Sequence, residues 1–485
     1  MMTTEDKVAI KKKAASAVKW SLLTEVLVKV ITPLTQIILA HILAPEAFGV
    51  VATVTMVVSF ADMLSDAGFQ KYLVQHDFEN LESLFKTADV AFWTNLFVSL
   101  VLWLIILVFN DPIARSVGCS GLGSVLIFAS ASLPLTALSS IQLAIFHREF
   151  EFKDLLVSRV SVALVPMVIT VPLAFLGFSY WSLVIGTVAG NLVNALVLTK
   201  MSKWRPKAFY SLELLKDMLG FSFWTLLESI SIWLTSWVGT FVLGSTLSTY
   251  YLGLYKTSTG MVNAAMGIVT SATTPILFSA LSRYQNDEES FESVFFDMQL
   301  KVALFVVPLG VGIYVFRRFA TDLLMGPNWM ESSDLLGLWG LSSSLVIILS
   351  HYASEVFRAK GKPKLSFANQ CLYLCILIPA MLFSAQMGFT AFSVTVCAVR
   401  VLGIGIGFIF LGFVAFPVGK MLSNILSTVF CSLVMGIFGT LLLEFNSTSL
   451  FCVLWILLCM VIYAALSLIF PKTRKILVRY LRYLP

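Results

Sequence analysis

Two carboxylates one helical turn apart, Asp62 and Asp66, stand in a stretch of otherwise apolar residues. On one helix face they repel each other, and the repulsion is relieved when one of them holds a proton or a cation, or when a cation such as Lys71 or a neighbouring helix pairs with them. Glu25 and Lys29 are also four apart, acid first, which is the favourable order for a neutralising pair; Asp297 and Lys301 repeat that arrangement. Each is either a structural ion pair or part of a polar site. Lys256 and Arg400 differ: the helical turns on either side of them carry no Asp or Glu. A cation in such surroundings suits an anionic ligand, a phosphate group for example. Other chemistries lack their residues. The four histidines are scattered, without HExxH or triad-like spacing. Of the seven cysteines all but Cys119 lie in apolar runs, and none forms a CxxC pair, so no zinc site or disulfide framework is expected.

The elements that must position these residues follow from composition. The chain has 485 residues, 58% hydrophobic and 12% charged, and its mean hydropathy is +0.90. A folded soluble protein carries about 25% charged residues, so this surface cannot face water throughout. A net charge of +6, spread between apolar runs, gives no footprint for nucleic acid. Spanning a bilayer takes about 20 helical residues, and about fourteen apolar segments of that length can be counted. The expected organisation is an all-α polytopic membrane protein. Residues 1–200 hold spans one to six, 201–218 a basic connector, 219–416 spans seven to twelve, and 417–485 two further spans with a basic tail. The apolar run from Ala14 to about Leu43 is too long for the roughly 7–15-residue core of a signal peptide and reads as the first span.

Lys and Arg fall almost entirely in alternate connectors, which places both termini on the cytoplasmic side. The opposite connectors are short, and the longest, Arg317 to about Ser333, is too small for a separate catalytic domain. The tail after Pro471 interleaves basic and apolar residues, as an interfacial helix on anionic lipid would.

Sliding the sequence by 204 residues, Ile37 onto Phe241, aligns IILAHILAPEAFGVVA with FVLGSTLSTYYLGLYK and sets Gly49 on Gly253. Spans one and two thus match spans seven and eight. An even shift preserves orientation, so two pseudo-symmetric six-helix lobes around a central cavity are expected, with two helices appended. Charges inside the spans are concentrated in those the repeat pairs. That distribution fits a polar cavity and leaves a structural scaffold unexplained. Prolines within spans, Pro33 and Pro275 among them, mark hinges or static bends.

The opening AASAVKWSLLTEVLVKVITPLTQIILAHILAPEAFGVVA and the segment FADMLSDAGFQKYLVQ, Phe60 to Gln75, resemble the start of the polysaccharide transporter family, the Wzx and WzxC-like flippases of the MOP (MATE-like) superfamily. A weaker echo is LGSTLSTYYLGLY, Leu243 to Tyr255. The resemblance implies a flippase, not an enzyme. It would export undecaprenyl-diphosphate-linked oligosaccharide repeat units across the bacterial inner membrane, by alternating access driven by an H⁺ or Na⁺ gradient and without a bound cofactor. Its partners would be the lipid-linked oligosaccharide, membrane lipids and a polysaccharide polymerase with chain-length machinery. On this resemblance Lys29, Lys256 and Arg400 are candidates to receive the diphosphate and sugars. Glu25, Asp62, Asp66 and Glu228 are candidates for ion coupling or charge balance. The alternatives are a multidrug or cation antiporter of the same superfamily, which interior cations disfavour, and a membrane-embedded polymerase, which would need a larger extramembrane loop.

Overall fold

The computed structural model describes residues 4–118, 120–149 and 151–481, with side chains from Trp20 onward except those at 22, 221–224, 228, 363 and 479–481. Among the described residues there is no strand, and fourteen helices are long and apolar enough to cross a membrane. By contacts the chain divides into two units, Met1–Gly253 and Leu254–Pro485.

The first unit carries spans 1 to 7: Leu23–Ile42, Pro45–Asp66, Leu81–Val108, Gly123–Arg148, Phe152–Phe175, Tyr180–Met201 and Thr225–Thr246. Helix starts follow local chemistry. Pro45 opens span 2, where a missing N–H costs nothing, and the Asn80 side chain caps span 3 by accepting from the Ser83 amide at 2.8 Å. Span 2 ends where Ala67 and Gly68 turn left-handed at φ 44° and 83°, a conformation that glycine adopts without strain. The unit's interior is a layer of interlocking side chains, Val50, Val54, Ile106, Leu126, Leu133 and Val184 from spans 2, 3, 4 and 6. Val168 and Phe175 of span 5 are about 70% exposed, as side chains facing lipid acyl chains must be.

Helix resumes at Leu212, inside the stretch read as connector, because the Ser211 hydroxyl caps it by accepting from the Leu214 amide. What precedes it is tied down by Asp89 of span 3. Asp89, 3% exposed, accepts from Trp204 Nε1 and from the Lys207 amide, both at 3.1 Å.

The equivalence found by sliding the sequence on itself appears as a contact within this unit. A Cβ on Gly49 would overlap the carbonyl oxygen of Thr249, and one on Gly253 would overlap that of Pro45. These four residues are two pairs related by the 204-residue shift, so the contact is reciprocal, and glycine lets the two backbones touch.

The second unit takes span 8, Thr249–Arg283, from Leu254 onward, and spans 9 to 14: Glu288–Val315, Pro327–Ala359, Lys364–Gln386, Phe389–Gly412, Val418–Phe445 and Ser449–Ile469. Spans 9, 13 and 14 meet in a cluster that includes Val311, Val315, Met435 and Cys459. The connector after span 9 holds a helix, Arg317–Met325, and a 3-10 turn whose Trp329 is wholly buried. Past Pro471 the basic tail is helical to Leu481.

Candidate functional site

Span 5 does not run as a plain α-helix. Pro166 removes an N–H, and residues Pro166–Thr170 widen into a π-helical turn, a distortion that recurs at functional sites. That turn forms part of the wall of a cavity of about 670 Å³ inside the first unit, bounded mainly by spans 1, 5 and 6. Span 1 lines it from Val28 to Leu39, about 16 Å of helix at 1.5 Å per residue. On span 6 the cavity meets Thr187, Asn191 and Asn194. Their spacing of four and three sets them on one helix face.

Polar partners surround part of this cavity. Ser158 donates to Asn194 Oδ1 at 2.7 Å, and Asn194 Nδ2 donates to Ser139 at 3.3 Å. Arg159, the charged residue of the lining, donates to Glu25 Oε1 at 2.9 Å. Glu25 thus has a tertiary partner on span 5, which no sequence spacing connects to it. Lys29, partly buried one turn beyond Glu25, lies between the lining residues Val28 and Thr32.

A second cavity of about 230 Å³ shares Val51, Thr187 and Asn191 with the first and contains Asp62. Thr136 of span 4 donates to Asp62 Oδ1 at 2.5 Å. Asp66, one turn later, stands beside Gln70 and the Gly68 amide, and its Oδ1 is buried without a hydrogen-bond partner. The structure therefore places one carboxylate of the pair in a polar recess and the other at the helix end. The Glu228 side chain lies outside the described residues.

In the second unit Arg400 is held inside the fold. Its guanidinium lies 3.7 Å from the centroid of the Trp339 ring and donates to Ser342 Oγ at 3.3 Å and Ser343 Oγ at 3.0 Å. Trp339 is itself fixed by donating to Asn263 Oδ1 at 3.0 Å and by an edge contact with Tyr255. Lys256, partly buried, follows Tyr255 directly. Asp297 and Lys301 form the ion pair their spacing implied, at 2.5 Å. Among the described residues no group of three His, Cys, Asp or Glu could hold a metal.

Outside the spans, two exposed groups are moved from their ordinary pKa by hydrogen bonding. Asp287 caps span 9 and is held below the ordinary 3.8 by its hydrogen bonds to Ser290. Lys203 is raised above the ordinary 10.5 by hydrogen bonding to Glu151.

Comparison with known proteins agrees with this architecture. The chain is 28% identical over 330 residues to the succinoglycan biosynthesis transport protein ExoT of Rhizobium meliloti (strain 1021), a match covering 68% of this chain and 66% of that relative, just under two thirds of its length. It is 22% identical over 386 residues to the lipopolysaccharide biosynthesis protein WzxC of Escherichia coli (strain K12), covering 78% of this chain and 76% of that one. Among solved structures, the lipid II flippase MurJ in an inward closed conformation superposes with a TM-score of 0.77 at 15% identity, covering 93% of this chain and 98% of MurJ. An inward-facing multidrug resistance MATE transporter of the MOP superfamily gives 0.61 at 15% identity, over 79% and 93%. These two share the fold. Residues 38–334 match the family described as polysaccharide biosynthesis protein, and with more than half of its length so matched, the chain belongs to that family.

Proposed function

We propose that this protein is the flippase that moves undecaprenyl-diphosphate-linked oligosaccharide repeat units across the bacterial inner membrane for surface polysaccharide synthesis. The observation that carries the reading is a cavity with hydroxyls and amides in its wall, together with membrane-depth charges, within a chain of the polysaccharide biosynthesis family, folded like MurJ along 93% of its length. Relatives named for transport and for lipopolysaccharide biosynthesis support the substrate class. In this reading Lys29, Lys256 and Arg400 receive the diphosphate. Arg400 has five guanidinium donors, of which two are taken by serines, so it can bind a phosphate without leaving its Trp339 stack.

Transport alternates exposure of the substrate between the two membrane faces and is driven by an H⁺ or Na⁺ gradient. Asp62 carries the coupling ion, with Thr136 holding its carboxylate in place. Asp66 is coupled to it, and Glu25 and Glu228 balance the cations. Both termini are cytoplasmic, and a polysaccharide polymerase with its chain-length machinery takes the product on the far side.

The test is the sidedness of undecaprenyl-linked glycans in cells with and without the protein. Accumulation on the cytoplasmic leaflet only in its absence supports the reading. Glycans that reach the outer leaflet regardless but stay unpolymerised would move a polymerase to first place.

A further inference from the structure

The larger cavity of the first unit has a wall chemistry that the phosphate and ion sites do not use. The one charged residue among its described lining, Arg159, is already engaged by Glu25. No Asp or Glu is among its described lining residues, and Asp62 belongs to the adjoining recess. What remains is uncharged: apolar side chains such as Val28, Phe48 and Leu183, with hydroxyls and amides set among them. Thr32 and Gln36 of span 1, Thr170 of the π-helical turn and Asn191 of span 6 all line the cavity, and among the described residues their side chains hydrogen-bond to no protein group.

Amides and hydroxyls left without partners at membrane depth are costly unless a ligand or water completes them. Four of them converge on one volume, from three different spans. A cationic ligand would need a free carboxylate there and an anionic one a free cation, while a polyprenyl tail would meet the apolar side chains but leave the amides and hydroxyls unpaired. An uncharged ligand rich in hydroxyls meets the requirement, since each hydroxyl both donates and accepts as side-chain amides do. The volume, about 670 Å³, lies within the ~300–1,000 Å³ usual for pockets that enclose a small ligand.

From this we propose that the cavity between spans 1, 5 and 6 is the subsite for the sugars of the substrate, with Gln36, Asn191, Thr32 and Thr170 pairing with glycan hydroxyls. The inference rests on the flippase reading and adds to it that glycan and diphosphate are recognised by separate groups of residues.

The experiment compares two probes on the purified full chain in lipid nanodiscs: the undecaprenyl-linked glycan fraction extracted from cells lacking this protein, and undecaprenyl diphosphate without sugar. The wild type should bind the glycan-bearing lipid more tightly. In Q36A/N191A, affinity for the glycan lipid should fall at least about tenfold, the loss expected for two hydrogen bonds, with sugar-free diphosphate binding unchanged. Ala163→Phe, which fills the cavity without removing a polar group, should do the same. Thr32→Val removes only a hydroxyl from an accessible position and should weaken glycan binding by a smaller factor; it and Ala163→Phe carry the test where the double variant does not fold. Equal affinity of the wild type for both probes, or equal loss of both in the variants, overturns the sugar subsite and leaves the flippase reading standing. Failure of the wild type to bind either lipid overturns both.

Discussion

At the scale of single residues, the charges that stood out in the sequence have been given partners of different kinds. Arg400 stacks on Trp339 and forks onto two serines, a geometry that lysine cannot reproduce. Arg400→Lys therefore keeps the charge but is expected to lower transport at least about tenfold with normal membrane insertion; full transport in that variant would remove Arg400 from the site. Asp62→Asn preserves an oxygen that can accept from Thr136 and removes the charge. If Asp62 couples, this variant transports without the wild-type ion dependence, as vesicle assays under imposed H⁺ and Na⁺ gradients would record. An unchanged ion response assigns Asp62 to structure alone. The Glu25–Arg159 pair is about 40% exposed on both sides, so its coupling in a double-mutant cycle should stay below about 1 kcal/mol. The sequence exposed Asp62 and Arg400 because a charge in an apolar run is conspicuous. It did not expose Gln36, Thr32 or Asn191, because uncharged polar residues are common in membrane spans and only their convergence is informative.

At the scale of elements, caps and crossings decide where helices start and how closely they approach. Gly49 and Gly253 allow backbone contact with Thr249 and Pro45. Gly49→Ala should cost about 1–3 kcal/mol through overpacking, seen as a lower thermal midpoint in detergent. Gly260→Ala in span 8 has open space around its Cβ and should leave that midpoint unchanged or slightly higher, since alanine is the better helix former. The Asp287 cap has a pH signature. Its carboxyl is depressed below 3.8 by the Ser290 hydrogen bonds, so its contribution is complete above that value and is lost as pH falls through the folded value. Asp287→Asn keeps a capping oxygen and should flatten the part of the stability curve that lies below the ordinary carboxylate value of 3.8. The start of helix at Leu212 was not legible in the sequence: Lys216 and Asp217 look like loop residues, yet a serine cap and the packing of Leu214, Leu215 and Met218 onto Phe69, Trp204 and their neighbours extend the helix over them.

At the scale of the whole molecule, composition and periodicity determined a great deal by themselves. Helices of about 20 apolar residues are the economical way to satisfy backbone hydrogen bonds in lipid, so span number, helical class and the doubling of the first two spans were legible from residue order. The family was legible too, from the residues of spans 1 and 2. Tertiary structure alone decided which polar groups meet. Helix–helix packing sets the rotation of each span about its axis, and that rotation turned Arg159 toward Glu25, Thr136 toward Asp62 and Trp339 beneath Arg400. These partners are 134, 74 and 61 residues apart in the chain, taking 159 − 25, 136 − 62 and 400 − 339. No local spacing rule connects residues so distant. The cavity lined by spans 1, 5 and 6 has the same origin, since a void between helices is a property of their packing and leaves no mark on any one of them.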